Sequence, residues 1–357
     1  MASDAKLEAF YNNVKKLLPY RENSNLNFRR RLKKAFSDYH GYAFEYGVSK
    51  DTLDDIDAIS ERLSDIVLNS EKGLQSTAYT QLQNLIQGKK NQPPKIDITK
   101  SILPFDGQKG MSFYRIRQME SIYEVGASEM FHIPLNKRGI VKTQRYSTPG
   151  YPCLYLGESI YGCWEEMRRP SMQTCAVSRL QCEGNLNIID LTIPLRDSLK
   201  NPFVQKYIPL LISCMMPVHN YQDTYKPEYI VPQLIIEWIL KHRTSKKIDG
   251  VCYTSTHINN EFNFPEGKFI NYAIPVYNLN SSHRFCKKLC SLFRITKPTT
   301  NDIEKLKNGY PIDAGYTEYQ SDDEFKEWKY SDSDFGNLEK RLNDETYFPL
   351  ETLSPKA

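Results

Sequence analysis

The hydrophobic pattern of this chain changes once, at a basic segment that contains two adjacent prolines. Before that segment, apolar residues recur every three or four positions, which is the spacing of the buried face of an amphipathic helix. Three such stripes are present: Leu7, Phe10, Val14 and Leu17; Ile56, Ile59, Leu63 and Ile66; and Leu74, Ala78, Leu82 and Leu85. Glycine, proline and strand-like alternation are scarce there. Residues 1–90 are therefore predicted to form a helical N-terminal domain, a small bundle, and residues 91–101 a linker.

After the linker, short apolar runs alternate with turn-rich loops, as in mixed domains of strands and helices. The expected strands are 153–157, 186–191, 250–253 and 269–276, and the expected helices are 159–167 and 232–242. The predicted fold class is α+β, with a mixed domain over residues 102–300. Residues 301–357 are acidic with scattered aromatic side chains, so they are predicted to form a tail or a docking arm.

The composition excludes several classes of function. The net charge is +4 over 357 residues, too small to predict bulk attraction to nucleic acid or to a membrane. The sequence contains no phosphate-binding glycine loop, no dinucleotide-binding glycine motif, and no metalloprotease or serine-hydrolase motif. No apolar signal core precedes the first helix and no window approaches about 18 apolar residues, so a cytoplasmic location is expected.

Eight cysteines are present without a CxxC pair, and free, mostly buried thiols are expected in a reducing compartment. His283, Cys286 and Cys290 have helical spacing, but too few further ligands accompany them. No metal site is therefore predicted.

Two segments combine arginines with aromatic residues. In the run FYRIR, Tyr114 and Ile116 share one face of a predicted strand, and Arg115 and Arg117 share the other. These arginines either are solvated at a sheet edge or contact a ligand.

The second segment, Arg145-Tyr146-Ser147, precedes a predicted type II turn at Pro149 and Gly150. Such a turn brings backbone N–H groups and the Arg145 guanidinium to one place, which suits a phosphate group. The alternative is a hairpin turn with an exposed arginine.

Glu165 and Glu166 fall in the second turn of a helix that Ser159 is expected to cap. Their side chains point about 100° apart, so one carboxylate can face a cleft while the other is solvated or paired with Arg168 or Arg169. The helical register favours Glu166, and Glu165 remains an alternative.

Ser255 follows the predicted strand 250–253. A hydroxyl just past the end of a strand is well placed to bond a ligand, and it is equally an ordinary loop serine.

Taken in order, these segments resemble one known family. Residues 112–277 resemble the RES domain, a family named for its Arg, Glu and Ser and similar in fold to ADP-ribosyltransferases. The motifs that carry the resemblance are Tyr114-Arg115; Arg145-Tyr146-Ser147 with Pro149-Gly150; Pro152, Tyr155 and Leu156; Glu166, eleven residues after that tyrosine; and Tyr253 with Ser255. The resemblance implies a split, largely antiparallel sheet.

The resemblance also implies cleavage of NAD at the nicotinamide–ribose bond, with water or phosphate as acceptor. Glu166, Arg115 and Ser255 are then the expected catalytic residues. The expected NAD-binding residues are Arg115, Arg145, Tyr146, Ser147, Tyr155 and Ser255, with Arg117 and Arg138 as alternatives for the arginines. NAD would be the substrate, without a separate cofactor or metal.

The same resemblance implies a toxin or defence effector, with an antitoxin or immunity protein as partner and a homo-oligomer as one assembly. Neither a membrane nor a nucleic acid is an expected partner. Two alternatives remain open: transfer of ADP-ribose to a protein or small molecule, and an inactive interaction module that binds through its helical domain and acidic arm.

Overall fold

The computed structural model of the protein describes most of the chain up to residue 300 and a short segment near the C-terminus. The described residues are 2–22, 25–89, 91–106, 110–119, 125–257, 269–279, 284–300, 330 and 334–350. Residues 301–329, 331–333 and 351–357 of the predicted acidic arm lie outside them, and so does His283.

The described residues form a helical N-terminal segment followed by strands and further helices, which confirms the predicted α+β fold class. The helices are α1 (Ala2–Leu17), α2 (Phe28–Tyr46), α3 (Lys50–Glu71), α4 (Gln75–Gln87), α5 (Ile160–Glu166), α6 (Pro202–Met215), α7 (Ile230–Lys246), α8 (Lys287–Leu292) and α9 (Asp334–Asn343). The strands are β1 (Ile102–Phe105), β2 (Met111–Gln118), β3 (Cys153–Gly157), β4 (Cys175–Cys182), β5 (Leu186–Leu191), β6 (Gly250–Thr254), β7 (Ile270–Pro275), β8 (Phe293–Thr296) and β9 (Tyr347–Pro349).

The chain divides into two compact units. The first comprises Met1–Leu103, Thr143–Thr148 and Ile189–Thr256, and the second comprises Pro104–Lys142, Pro149–Ile188 and His257–Ala357. Helices α6 and α7, which lie in the sequence range assigned above to the mixed domain, therefore belong to the same unit as α1–α4. The domain boundaries inferred from sequence, 1–90, 91–101, 102–300 and 301–357, stay predictions.

The first unit contains the helical N-terminal segment. All members of the three apolar stripes are buried except Leu74, which precedes α4 and is 49% exposed. Local signals set the helix ends: the Asn27 side chain accepts from Arg30 N at the start of α2. Gly47, with φ of 96°, ends the same helix in a left-handed conformation that suits glycine.

Helices α6 and α7 complete the core of this first unit. Helix α6 packs on α2 and α3, and α7 packs on α3 and α4. Hydrogen bonds join these helices, as Tyr39 Oη donates to the carbonyl of Gln205 at 2.7 Å and Trp238 Nε1 donates to Gln87 Oε1 at 3.0 Å. The N-terminal helices thus share their core with two helices from far along the chain.

The second unit is built on an antiparallel sheet in the order β7-β3-β2-β4-β8-β9. Strand β2 pairs with β4 along its whole length, and β3 pairs likewise with β7. Strands β2 and β3, by contrast, pair only at Tyr114 and Gly157. The ladder therefore opens between these two strands, next to Arg115.

The described part of the predicted acidic arm belongs to the second unit. Strand β9 pairs antiparallel with β8 at the sheet edge, and α9 packs against α5. Phe335, Leu338 and Leu342 of α9 are buried in one apolar cluster with Ile160 and Tyr161 of α5.

Candidate active site

Helix α5 carries both candidate carboxylates, and its ends are set locally. Ser159 Oγ accepts from Gly162 N at 3.0 Å, which confirms Ser159 as the N-cap. After Glu166 the chain turns sharply, because Arg168 and Arg169 both adopt positive φ, at 62° and 54°. The helix therefore has seven residues, with Glu166 at its C-terminal end.

The two neighbouring glutamates have different partners. Glu165 is buried, and Arg169 donates to it from Nε to both carboxylate oxygens at 3.1 Å and from Nη2 at 2.9 Å. Glu166 is partly exposed, and its Oε1 accepts from Asn271 Nδ2 at 3.1 Å. Within the described part of the chain Glu166 forms no ion pair. Glu165 thus stabilises the turn after α5, while the charge of Glu166 is left uncompensated.

A glycine allows α5 and β7 to approach β3. Gly157 lies opposite Asn271 in the β3–β7 ladder. A Cβ atom at Gly157 would stand 2.6 Å from Cys163 Sγ, closer than Cβ atoms come in proteins, and 3.1 Å from Asn271 Oδ1, which is a tight contact. Tyr155, two residues earlier, shares that face of the sheet and remains partly exposed.

Arg115 bridges the opening between β2 and β3. Its Nη1 donates to the carbonyl of Tyr155, and its Nε is buried with no hydrogen-bond partner among the described residues. Burial and the neighbouring Arg117 lower the pKa of the Arg115 guanidinium to about 9. Among the described residues it has no carboxylate partner. A desolvated, unpaired cation of this kind favours an anionic ligand.

Cys163 stands within electrostatic reach of both Arg115 and Glu166. Its Sγ donates to the carbonyl of Tyr114 at 3.3 Å. Burial raises the pKa of this thiol to about 12, which Arg115 opposes and Glu166 reinforces. The thiol is therefore protonated, and its electrostatic interactions place Arg115 and Glu166 in one region of the second unit.

The alternative arginines differ from Arg115. Arg117 donates from Nη1 to the carbonyl of Glu129, so it holds the loop that follows β2. Arg138 is exposed in a short 3₁₀ segment.

Two tight turns replace the single turn expected around Arg145. Gly150 has φ of 78°, as the third position of the predicted type II turn requires. A further turn precedes it, closed by hydrogen bonds between Gln144 and Ser147 at 3.0 and 3.2 Å. Arg145 is one of the two central residues of that earlier turn.

Arg145, in the first unit, is engaged by protein acceptors. It is 8% exposed, and its Nη1 donates to the carbonyl of Cys214 at 2.8 Å. Its Nη2 donates to the carbonyl of Met216 at 3.0 Å and to Thr256 Oγ1 at 3.2 Å, and the guanidinium lies over the Tyr229 ring. Arg145 is thus neither exposed nor in a free phosphate-binding geometry. It satisfies carbonyl groups at the C-terminal end of α6.

The other predicted residues of the first unit are also buried. Tyr146 is fully buried and its ring lies 4.6 Å from that of Tyr253, so it offers no ring face to a ligand. Ser147 is 2% exposed, and its carbonyl accepts from Gln233 Nε2 at 3.2 Å. Ser255 follows β6 as predicted and is fully buried. Of the two candidate tyrosines, only Tyr155 therefore retains an accessible surface.

The described residues offer neither a metal site nor a membrane-spanning helix. Those residues contain no group of three or more histidine, cysteine or acidic side chains arranged to hold a metal ion. Nor does any helix among them combine the length and the apolar character needed to span a bilayer. All eight cysteines are free thiols, seven of them buried.

Comparison with protein families shows what the region that contains β2, α5 and β7 is similar to. Residues 112–274 match the family model of the RES domain. This segment is similar to the RES domain family. This match includes both arginines of β2, both glutamates of α5, and Ser255.

The chain is also similar to a curated protein of Bacillus subtilis (strain 168), named "Putative toxin YopC". The two are 38% identical over 205 residues, which cover 52% of this chain and 45% of the relative. The chain thus spans about half the length of the curated relative it matches. No solved structure matches the chain.

Three residues of the candidate site were not predicted from sequence. Asn271 has a recognisable signal, because it is a lone amide in an otherwise apolar strand. Gly157 and Cys163 have no such signal, since their importance depends on the distance between α5 and the sheet.

Proposed function

We propose that this protein cleaves NAD at the bond between nicotinamide and ribose, with water or phosphate as acceptor, and acts as a toxin or defence effector. The RES domain and the relative named as a toxin support the general class. NAD is the substrate in this proposal, and no other cofactor or metal takes part.

The proposal rests on the hydrogen bond that Glu166 accepts from Asn271. Cleavage of the nicotinamide–ribose bond leaves positive charge on the ribose, and a carboxylate nearby stabilises that charge. Glu166 can do this because Asn271 orients it without neutralising it. Glu165 cannot do so equally well, because Arg169 already compensates its charge.

Arg115 is the proposed ligand of the pyrophosphate. Its Nε has no acceptor within the part of the chain that the structure describes, and a pyrophosphate oxygen would supply both an acceptor and a counter-charge. Tyr155 is the proposed ring that contacts nicotinamide, which is a cation until it leaves.

Residues of the first unit receive more limited roles. Ser255 is the proposed contact of the amide or ribose, as the family resemblance implies, and Ser147 stays a proposed NAD-binding residue. For Arg145 and Tyr146 the contacts favour a structural role in the 145–148 segment and the end of α6.

The proposed toxin acts in the cytoplasm, where NAD is present. A cell that produces it would need an antitoxin or immunity protein, and this is the partner we propose.

Incubation of the full-length protein with NAD, with and without inorganic phosphate, tests the activity. The proposal predicts stoichiometric release of nicotinamide together with a soluble ADP-ribose or ADP-ribose phosphate. Label transferred from NAD to a macromolecule would instead identify an ADP-ribosyltransferase. Absence of nicotinamide release under both conditions would refute the proposal.

A further inference from the structure

Two side chains near the C-terminus reach the first turn of α5. Glu339 Oε1 accepts from Ile160 N at 2.7 Å and from Tyr330 Oη at 2.5 Å. Glu339 is 7% exposed and Tyr330 is 8% exposed, so this cluster is almost wholly excluded from water. A carboxylate is rarely buried to this degree unless donors compensate its charge.

These contacts complete the capping of α5. A helix leaves its first N–H groups without partners, and a negative charge at that end is favourable. Ser159 Oγ binds the N–H of Gly162, and Glu339 binds that of Ile160. The Tyr330 hydroxyl also interacts with the backbone of Tyr161. The first turn of α5 is therefore capped partly by residues about 170–180 positions away in sequence.

Apolar contacts join the same two segments. The ring of Phe335 lies 5.3 Å from the rings of Tyr161 and Trp164. Leu338 and Leu342 are buried in the same cluster. A helix of seven residues is not stable alone, so its position depends on such packing.

We propose that Glu339 is a positioning residue, which fixes the N-terminal end of α5 and thereby sets the location of Glu166 at the other end. This inference rests on the proposed function. Helix α5 is about 10 Å long, so a small tilt at Ile160 displaces Glu166 from Asn271. A small displacement of the Glu166 carboxylate would lower the reaction rate even though the carboxylate itself is still present.

Matched variants separate this role from general stabilisation. Glu339→Ala removes the acceptor of Ile160 N–H, whereas Glu339→Gln retains an oxygen in its place. Lys340→Ala is the control, because this neighbouring residue of α9 is exposed. Tyr330→Phe removes one donor to Glu339 and tests the cluster if Glu339→Ala does not fold.

Each full-length variant is assayed for nicotinamide release, with kcat and KM measured separately, and for hydrogen exchange of the 160–166 segment. Glu339→Ala is expected to lower kcat by about 10- to 100-fold with little change in KM, and to speed exchange in that segment. Glu339→Gln should recover most of kcat, and Lys340→Ala should match the unsubstituted protein. In a Glu166→Gln background, Glu339→Ala should cause no further loss, since it acts through Glu166.

Three results would overturn the inference: unchanged kcat and exchange in Glu339→Ala, the same loss in Lys340→Ala, or an undiminished loss in the Glu166→Gln background. If the intact protein releases no nicotinamide, the proposed function fails. The exchange measurement still decides whether Glu339 holds α5, because it requires no activity.

Discussion

Asn271 Nδ2 lies 3.1 Å from Glu166 Oε1, and this hydrogen bond joins strand β7 to the last residue of α5. It distinguishes Glu166 from its neighbour Glu165, which is bound by Arg169. The structure thus separates two carboxylates that the sequence alone leaves as alternatives.

Replacement of Asn271 should affect turnover more than NAD binding. Asn271→Ala removes the donor that orients Glu166, so kcat should fall by about 10- to 100-fold with KM little changed. Asn271→Asp places a second carboxylate beside Glu166, and repulsion between the two raises the pKa at which the pair ionises. The acidic limb of the pH–rate profile should therefore move to higher pH. An unmoved profile with full activity would contradict the role given to Asn271.

Arg115 should act mainly through binding. Arg115→Lys keeps a charge but loses the planar fork that contacts two acceptors, so KM for NAD should rise by about tenfold or more. Arg117→Lys is the matched control on the same strand, because Arg117 bonds the Glu129 carbonyl. Kinetics with NAD distinguish the two. An equal rise in KM for NAD in both variants would contradict a specific role of Arg115 in binding the pyrophosphate.

Arg145 should contribute to stability. Arg145→Ala leaves the carbonyls of Cys214 and Met216 without their donor in a buried site, so the free energy of unfolding should fall by about 3 kcal/mol. Denaturant unfolding of the full-length protein measures this. Unchanged stability together with a raised KM would restore the pyrophosphate role that the sequence suggested.

Stability should also depend on pH through His132. This side chain is fully buried, with Nδ1 bonded to the Ile133 carbonyl and Nε2 accepting from Cys286 N, so the ring is neutral. Burial, the main cause, lowers the pKa of His132 from 6.5 to about 4. The unfolded chain therefore binds a proton at higher pH than the folded protein.

The contribution of His132 is fully present above pH 6.5 and is lost as the pH falls toward 4, by up to about 3 kcal/mol. His132→Gln keeps an acceptor for Cys286 N and removes the titrating group. Its unfolding free energy should vary less between pH 7 and pH 4 than that of the unsubstituted protein. An identical pH dependence would show that other groups control acid unfolding.

The features predicted correctly from sequence are those that depend on neighbouring residues. Ser159 caps α5 because the groups it bonds are three residues away, and the stripes of α1 and α3 record a buried face directly. Gly150 adopts the predicted turn because its own backbone permits it.

The features that sequence did not predict depend on tertiary contacts. Arg145 was expected at a phosphate, but its acceptors come from the end of α6. The roles of Asn271 and Glu339 likewise depend on segments brought to α5 by the fold. A residue pattern records which groups are present, and the partner of each is decided by packing.

The most direct test compares nicotinamide release by Glu166→Gln and Glu165→Gln in the full-length protein under identical conditions. The two substitutions are adjacent and chemically the same, so a difference between their effects reflects the surroundings of each carboxylate. We predict that Glu166→Gln lowers kcat by about 100-fold or more, while Glu165→Gln stays within a few-fold of the unsubstituted protein. Full activity in Glu166→Gln, or a larger loss in Glu165→Gln, would contradict the account.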